Sequence, residues 1–115
     1  MEHRYNSRTP VSLDVLLYYQ GLPVSICRAR DIGLGGMSVN ANKVAVLPKY
    51  AAVEVLILHR EPDKRTRLPA YVVHKSSQGM GLLFPRLNQR AANTVRALID
   101  DTTAASTGLR LVSNI

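Results

Sequence analysis

Short segments in which apolar and polar residues alternate constrain this chain more than any other feature of its sequence. The clearest is 11–18, where every second residue is Val or Leu. Because successive side chains of a strand point to opposite sides, this pattern predicts a strand with one face in a core. Similar segments separated by turn residues predict further strands at 23–30, 37–40, 53–59, 67–75 and 80–84. About six short strands indicate a mainly β, antiparallel fold, most simply a small barrel.

One helix follows the predicted strands. Apolar residues recur at helical spacing from Ala91 to Ile99, and Asn88 precedes them as a predicted N-cap. We expect this helix to cover one open end of the barrel or one edge of the sheet. Residues 1–10 form a polar, extended arm, and residues 102–115, rich in Thr, Ser and Ala, a weakly ordered tail. The prediction is a single domain over residues 1–101 that includes the arm.

Composition and length agree with a small intracellular domain. The chain has 115 residues, and its single cysteine, Cys27, allows no intrachain disulfide, which favours a reducing compartment. The sequence opens with polar and charged residues, and its apolar runs are too short to span a bilayer. We therefore expect a soluble cytoplasmic protein that does not insert into membranes.

The chain is basic, with a formal net charge of +7. This excess favours an anionic partner, whether a nucleotide, a nucleic acid or an acidic protein surface. The basic residues are spread along the chain, and there is no Trp and one Phe. Because single-strand nucleic-acid binders use aromatic stacking platforms, this composition disfavours a nucleic-acid partner.

No catalytic or metal-binding pattern stands out. His3, His59 and His74 have no metal-ligand spacing with one another or with Cys27. The sequence contains no nucleophile elbow, and its glycine-rich stretch lacks the βαβ context of a nucleotide-binding fingerprint. We predict no catalytic centre, no metal and no cofactor, and interpret the protein as a receptor and not an enzyme.

Two motifs carry the candidate binding chemistry. Arg4 and Arg8 are spaced so that two guanidinium groups can pair with phosphates and with the O6/N7 edge of guanine. In the loop Asp31–Gly36, the aspartate can accept hydrogen bonds from the N1–H and amino group of guanine. The loop glycines imply either positive φ or close approach of another group to the backbone, and they are Gly33, Gly35 and Gly36.

Together these motifs resemble those of the PilZ domain family, the bacterial receptors for cyclic di-GMP. That family carries RxxxR on an N-terminal arm and (D/N)xSxxG on a later loop. Arg4 and Arg8 match the first motif, and Asp31 and Gly36 match the second. The resemblance extends over roughly residues 3–100, and it implies a six-stranded antiparallel PilZ-type β-barrel with a C-terminal α-helix.

The resemblance also implies roles for these residues. Arg4 and Arg8 would hold phosphates and the guanine Hoogsteen edges. Asp31 would bind a guanine, and Gly36 would allow close approach of the backbone. The ligand would be cyclic di-GMP, and the signal would pass to an unidentified protein effector that controls motility, biofilm formation or exopolysaccharide.

Two positions depart from the family pattern or leave it open. Gly33 replaces the motif serine, and one lost hydrogen bond of about 0.5–1.5 kcal/mol lowers affinity by about threefold to tenfold. His3 precedes the first arginine, at a position that in the family influences whether one ligand or a stacked pair is bound. The stoichiometry therefore stays open.

Two other functions compete with the receptor hypothesis. A PilZ-fold adaptor that binds a protein partner, with weak or no affinity for cyclic di-GMP, would explain Gly33. A small basic barrel that binds RNA or DNA would explain the net charge of +7. The intact arginine pair and Asp31 argue against the adaptor, and the lack of Trp, the single Phe and the scattered charge weaken the nucleic-acid hypothesis.

Overall fold

The computed structural model describes residues 7–40 and 47–104, which confirm the predicted mainly β class. The strands are β1 (Thr9–Tyr19), β2 (Leu22–Gly33), β3 (Gly36–Asn40), β4 (Ala52–Ile57), β5 (Arg67–Ser76) and β6 (Gly79–Leu83). A 3₁₀ turn spans Pro62–Lys64, and the helix α1 spans Gln89–Ala104.

The strands form a closed antiparallel barrel in the order β1-β2-β3-β6-β5-β4, with β4 pairing back onto β1. Most neighbours in this barrel are also neighbours along the chain. The pairing of β3 with β6 and that of β1 with β4 are the exceptions, and they close the cylinder. Because a closed barrel leaves no free sheet edge, the helix cannot cover one.

The pairing register decides which face of each strand enters the core. In β1, Val15 and Leu17 are fully buried, as the alternation predicts. In β2, Cys27 lies opposite Val15 and is buried with it, whereas the larger Ile26 lies on the outer wall with 64% of its surface exposed. Neighbouring side chains across a sheet point to the same side, so the register overrides side-chain size here.

The helix α1 begins with the predicted cap. The Oδ1 atom of Asn88 accepts a hydrogen bond of 2.8 Å from the backbone N–H of Ala91. The buried side of α1 presents Ala91, Val95 and Leu98, which belong to the same apolar cluster as the inward-facing strand residues. The helix packs against β1 and β2 and so closes the core where the strands leave it open.

Several predicted boundaries shift, and β2 continues to Gly33, inside the predicted loop Asp31–Gly36. The first strand begins at Thr9, inside the predicted arm 1–10, and α1 continues to Ala104, past the predicted start of the tail at residue 102. The rest of the arm, residues 1–6, and the rest of the tail, residues 105–115, lie outside the described residues. Within the described ranges, no helix combines the length and apolar character needed to cross a bilayer.

Candidate functional site

The predicted binding loop is the hairpin between β2 and β3. Gly33 and Gly36 pair across it, so Leu34 and Gly35 form the turn. Asp31 lies at the base of this hairpin, just before the turn. The strand pairing therefore places the loop residues beside the start of β1, where Asp31 lies opposite Pro10.

A β-bulge turns the Asp31 side chain outward. The register between β2 and β3 shifts between Ala29 and Asp31, which makes Arg30 the extra residue. Ala29 faces the core, so strict alternation would bury Asp31 as well. The inserted residue reverses the phase, and Ile32 is fully buried while the Asp31 side chain stays 30% exposed.

Arg8 reaches across the strands to this carboxylate. Its Nη1 atom donates to Oδ1 of Asp31 at 2.9 Å and contacts Oγ of Ser38 at 3.4 Å. The Arg8 side chain is 34% exposed. An ion pair this open to water contributes only about 0–1 kcal/mol to stability. Both groups therefore remain accessible to a ligand at low cost.

Close backbone contacts explain the two glycines that flank the turn. A Cβ at Gly33 would overlap the backbone carbonyl oxygen of Ser7, and one at Gly36 would overlap that of Leu82. A Cβ at Gly36 would also lie 3.1 Å from Nη2 of Arg8. Neither glycine has a positive φ, so of the two predicted reasons for glycine, close approach of another group is the one that applies to both.

The structure thus brings most of the predicted site residues together. Arg8 contacts Asp31 and lies against both Gly33 and Gly36, and Gly35 forms the turn beside them. Arg4 and His3 lie outside the described residues. The roles of all these residues toward cyclic di-GMP stay predictions.

Ser38 is a polar neighbour that belongs to neither motif. It pairs with Asp31 across the β2–β3 ladder, which places its half-buried hydroxyl beside Arg8. No motif marks this serine. The alternation in β3 indicates its outward direction, because Met37 and Val39 on either side of it are fully buried.

A cavity of about 550 Å³ adjoins this group of residues. Arg8, Leu34 and Gly35 line one part of it, and the segment from Leu83 to Leu87 and the first turns of α1 line the rest. Arg86 and Arg96 are among its residues. Arg96 lies on the exposed side of α1, and the cavity adjoins that side of the helix.

The titratable residues offer no second centre in the part of the chain described. Residues 7–40 and 47–104 hold no group of three or more His, Cys, Asp or Glu side chains arranged for a metal. Burial raises the pKa of the Cys27 thiol, and the hydrogen bond to Ser25 opposes that shift. The thiol lies inside the barrel wall, where it packs as a small apolar group.

The sequence model of the PilZ domain family matches residues 2–101. The crystal structure of the PilZ domain of CeSA from a cellulose-synthesizing bacterium is similar, with a TM-score of 0.68 and 18% identity. That similarity covers 83% of this chain and 96% of the other. No curated protein matches the sequence.

Two further solved structures share the fold. Borreliella burgdorferi PlzA in complex with c-di-GMP has a TM-score of 0.58 and 9% identity, covering 81% of this chain and 39% of PlzA. An uncharacterized protein from Legionella has a TM-score of 0.57 and 13% identity, covering 89% of this chain and 99% of that protein. At such identities the similarities show the fold alone.

Proposed function

This chain belongs to the PilZ domain family, and we propose that it is a receptor that binds cyclic di-GMP at the arm and the β2–β3 hairpin. The observation that carries the proposal is the contact between Arg8 and Asp31, residues 23 positions apart whose charged atoms lie 2.9 Å from each other. The PlzA structure, which is a complex with c-di-GMP, supports the ligand.

The two side chains offer complementary halves of guanine recognition. The Asp31 carboxylate can accept hydrogen bonds from the N1–H and amino group of a guanine, while the Arg8 guanidinium can donate to phosphate oxygens or to O6 and N7. Arg4 is proposed to supply a second guanidinium from the arm. A ligand that breaks the exposed ion pair of Arg8 and Asp31 on binding removes only about 0–1 kcal/mol of stabilising free energy.

Ser38 offers the hydroxyl that Gly33 lacks. Its Oγ atom lies 3.4 Å from Nη1 of Arg8, on the strand next to Asp31. We propose that this hydroxyl serves the ligand in place of the motif serine. The affinity lost through Gly33 is then smaller than the motif alone predicts.

The proposed receptor passes its signal to a protein effector in the bacterial cytoplasm and performs no catalytic step. The arm contacts the β2–β3 hairpin at Ser7, whose carbonyl oxygen packs against Gly33. A ligand held by both elements therefore changes the surface that they share. On the basis of the family, the process that we propose the receptor controls is motility, biofilm formation or exopolysaccharide.

Isothermal titration calorimetry with cyclic di-GMP tests the proposal. We expect the wild-type protein to bind and Arg8→Ala to weaken binding by at least about tenfold, because a charge-assisted hydrogen bond is lost. Arg28→Ala is the matched control. It also removes an arginine paired with an aspartate, since Arg28 lies 3.0 Å from Asp14, but that pair is on the outer wall.

Absence of binding at tens of micromolar protein and ligand, with the fold confirmed by circular dichroism, would contradict the receptor function. The adaptor alternative would then stand, and Gly33 is the observation that favours it. A protein partner captured equally by the wild type and by Arg4→Ala/Arg8→Ala would support the adaptor.

A further inference from the structure

The cavity beside the hairpin has the size and position of a ligand subsite. Its volume of about 550 Å³ falls within the range of about 300–1,000 Å³ that small-molecule sites occupy. Arg8 belongs both to this cavity and to the contact with Asp31. The cavity is therefore continuous with the proposed cyclic di-GMP site.

The charge of the cavity is positive and largely uncompensated. Its lining includes Arg8, Arg86 and Arg96, and no acidic residue is among its described lining residues. Arg96 donates to Oδ1 of Asn93 at 3.3 Å and forms no ion pair within the part of the chain that the structure describes. Arg86 makes no hydrogen bond or ion pair with any residue of the described ranges. Guanidinium groups in this arrangement favour an anion.

Apolar side chains supply the remaining walls. Leu34 in the turn and Leu87 before α1 are half-buried, and Leu83 at the end of β6 is 44% exposed. Exposed leucine surface beside arginines suits a flat base that carries a phosphate. The base can cover the apolar walls while the phosphate pairs with guanidinium groups.

We propose that Arg86 and Arg96 are further ligand-binding residues, which hold the guanine and phosphate of cyclic di-GMP that lie beyond Arg8. This inference rests on the proposed function. It adds a subsite outside the two motifs, formed by the segment after β6 and the first turns of α1. The ligand would then contact both the hairpin and α1, so binding and the position of the helix would depend on each other.

Calorimetry with cyclic di-GMP on Arg86→Ala/Arg96→Ala tests the subsite. We expect the dissociation constant to rise by at least about tenfold, because two charge-assisted contacts are removed. The control is Arg60→Ala/Arg90→Ala, which changes the net charge equally at exposed residues that do not line the cavity. The control should bind within about twofold of the wild type, unless net charge alone sets affinity.

The outcomes separate this inference from the proposed function. One possible result is that the wild type binds cyclic di-GMP, that Arg8→Ala weakens this binding, and that Arg86→Ala/Arg96→Ala binds like the control. This result would overturn the subsite and leave the proposed function standing. Equal losses in the variant and in its control also overturn it, since the effect would then be long-range. No binding by the wild type overturns both. Amide shifts at Leu87 and Gln89 on addition of cyclic di-GMP, measured by NMR, give independent support, and their absence contradicts the subsite.

Discussion

At the scale of single residues, Gly33 acquires its meaning from a neighbour that is far from it in sequence. The family motif has a serine at this position, so a Gly33→Ser substitution would be expected to restore the hydroxyl and improve binding. In the structure the carbonyl oxygen of Ser7 occupies the place of a Cβ. The arm backbone therefore packs where a side chain would be, and glycine is required for that packing.

Gly33→Ser should weaken cyclic di-GMP binding by at least about threefold rather than strengthen it, because overpacking costs about 1–3 kcal/mol and displaces the arm. Calorimetry on the purified variant provides the measurement. Gly33→Ala adds the same Cβ without a hydroxyl and should show a similar loss. An affinity above that of the wild type in Gly33→Ser would show that the arm does not need this contact.

At the scale of elements, β2 carries the site because it is irregular. Its bulge at Arg30 reverses the alternation, so Asp31 points outward while Ile32 enters the core. A regular strand would bury the carboxylate of Asp31. Burial of an unpaired charge costs so much free energy that it would destabilise a barrel of this size. The local irregularity and the binding function therefore depend on the same inserted residue.

The helix α1 depends on its first turn. Asn88→Ala removes the acceptor for the N–H of Ala91 and should lower the free energy of unfolding by about 0.5–2 kcal/mol. Urea unfolding followed by circular dichroism measures this loss. Asn93→Ala is the control, since Asn93 is exposed within the same helix and its side-chain hydrogen bonds to described residues go only to the exposed Gln89 and Arg96. Equal effects of the two substitutions would argue against a specific role of the cap.

At the scale of the whole molecule, most of the positive charge is dispersed. On the outer wall, Arg28 pairs with Asp14 and Arg67 pairs with Glu54, and all four side chains are about half exposed. Such pairs leave little net field near them. The three arginines of the cavity are different. Among them, only Arg8 forms an ion pair with a carboxylate of the described residues. Net charge therefore says less about the ligand than the position of these three residues does.

Nucleic-acid binding should accordingly be weak and sensitive to salt. We expect any gel shift of RNA or DNA oligonucleotides to disappear by about 0.15 M salt, because dispersed phosphate contacts are lost as counterions compete. Cyclic di-GMP binding, measured in parallel by calorimetry, should persist at that salt concentration. A stable gel shift there would instead favour the basic-barrel hypothesis.

The strands and the helix could be predicted from the sequence because their signals are local. Alternation along β1 and the spacing of Val95 and Leu98 in α1 report which side faces a core, and the buried residues agree with both. The loop motif could be found for the same reason. Ser38 and Arg86 could not, because their relevance depends on pairing and packing with distant parts of the chain.

The sequence by itself determined the mainly β class, the order of its elements, the PilZ resemblance and the positions of Arg8 and Asp31 as candidates. Tertiary structure alone decided which face of β2 enters the core, why Gly33 and Gly36 are glycines, and that Arg86 and Arg96 share a cavity with Arg8. The physical reason is range. Alternation and capping act over a few residues, whereas register, close backbone contact and cavities arise only when segments distant along the chain pack together.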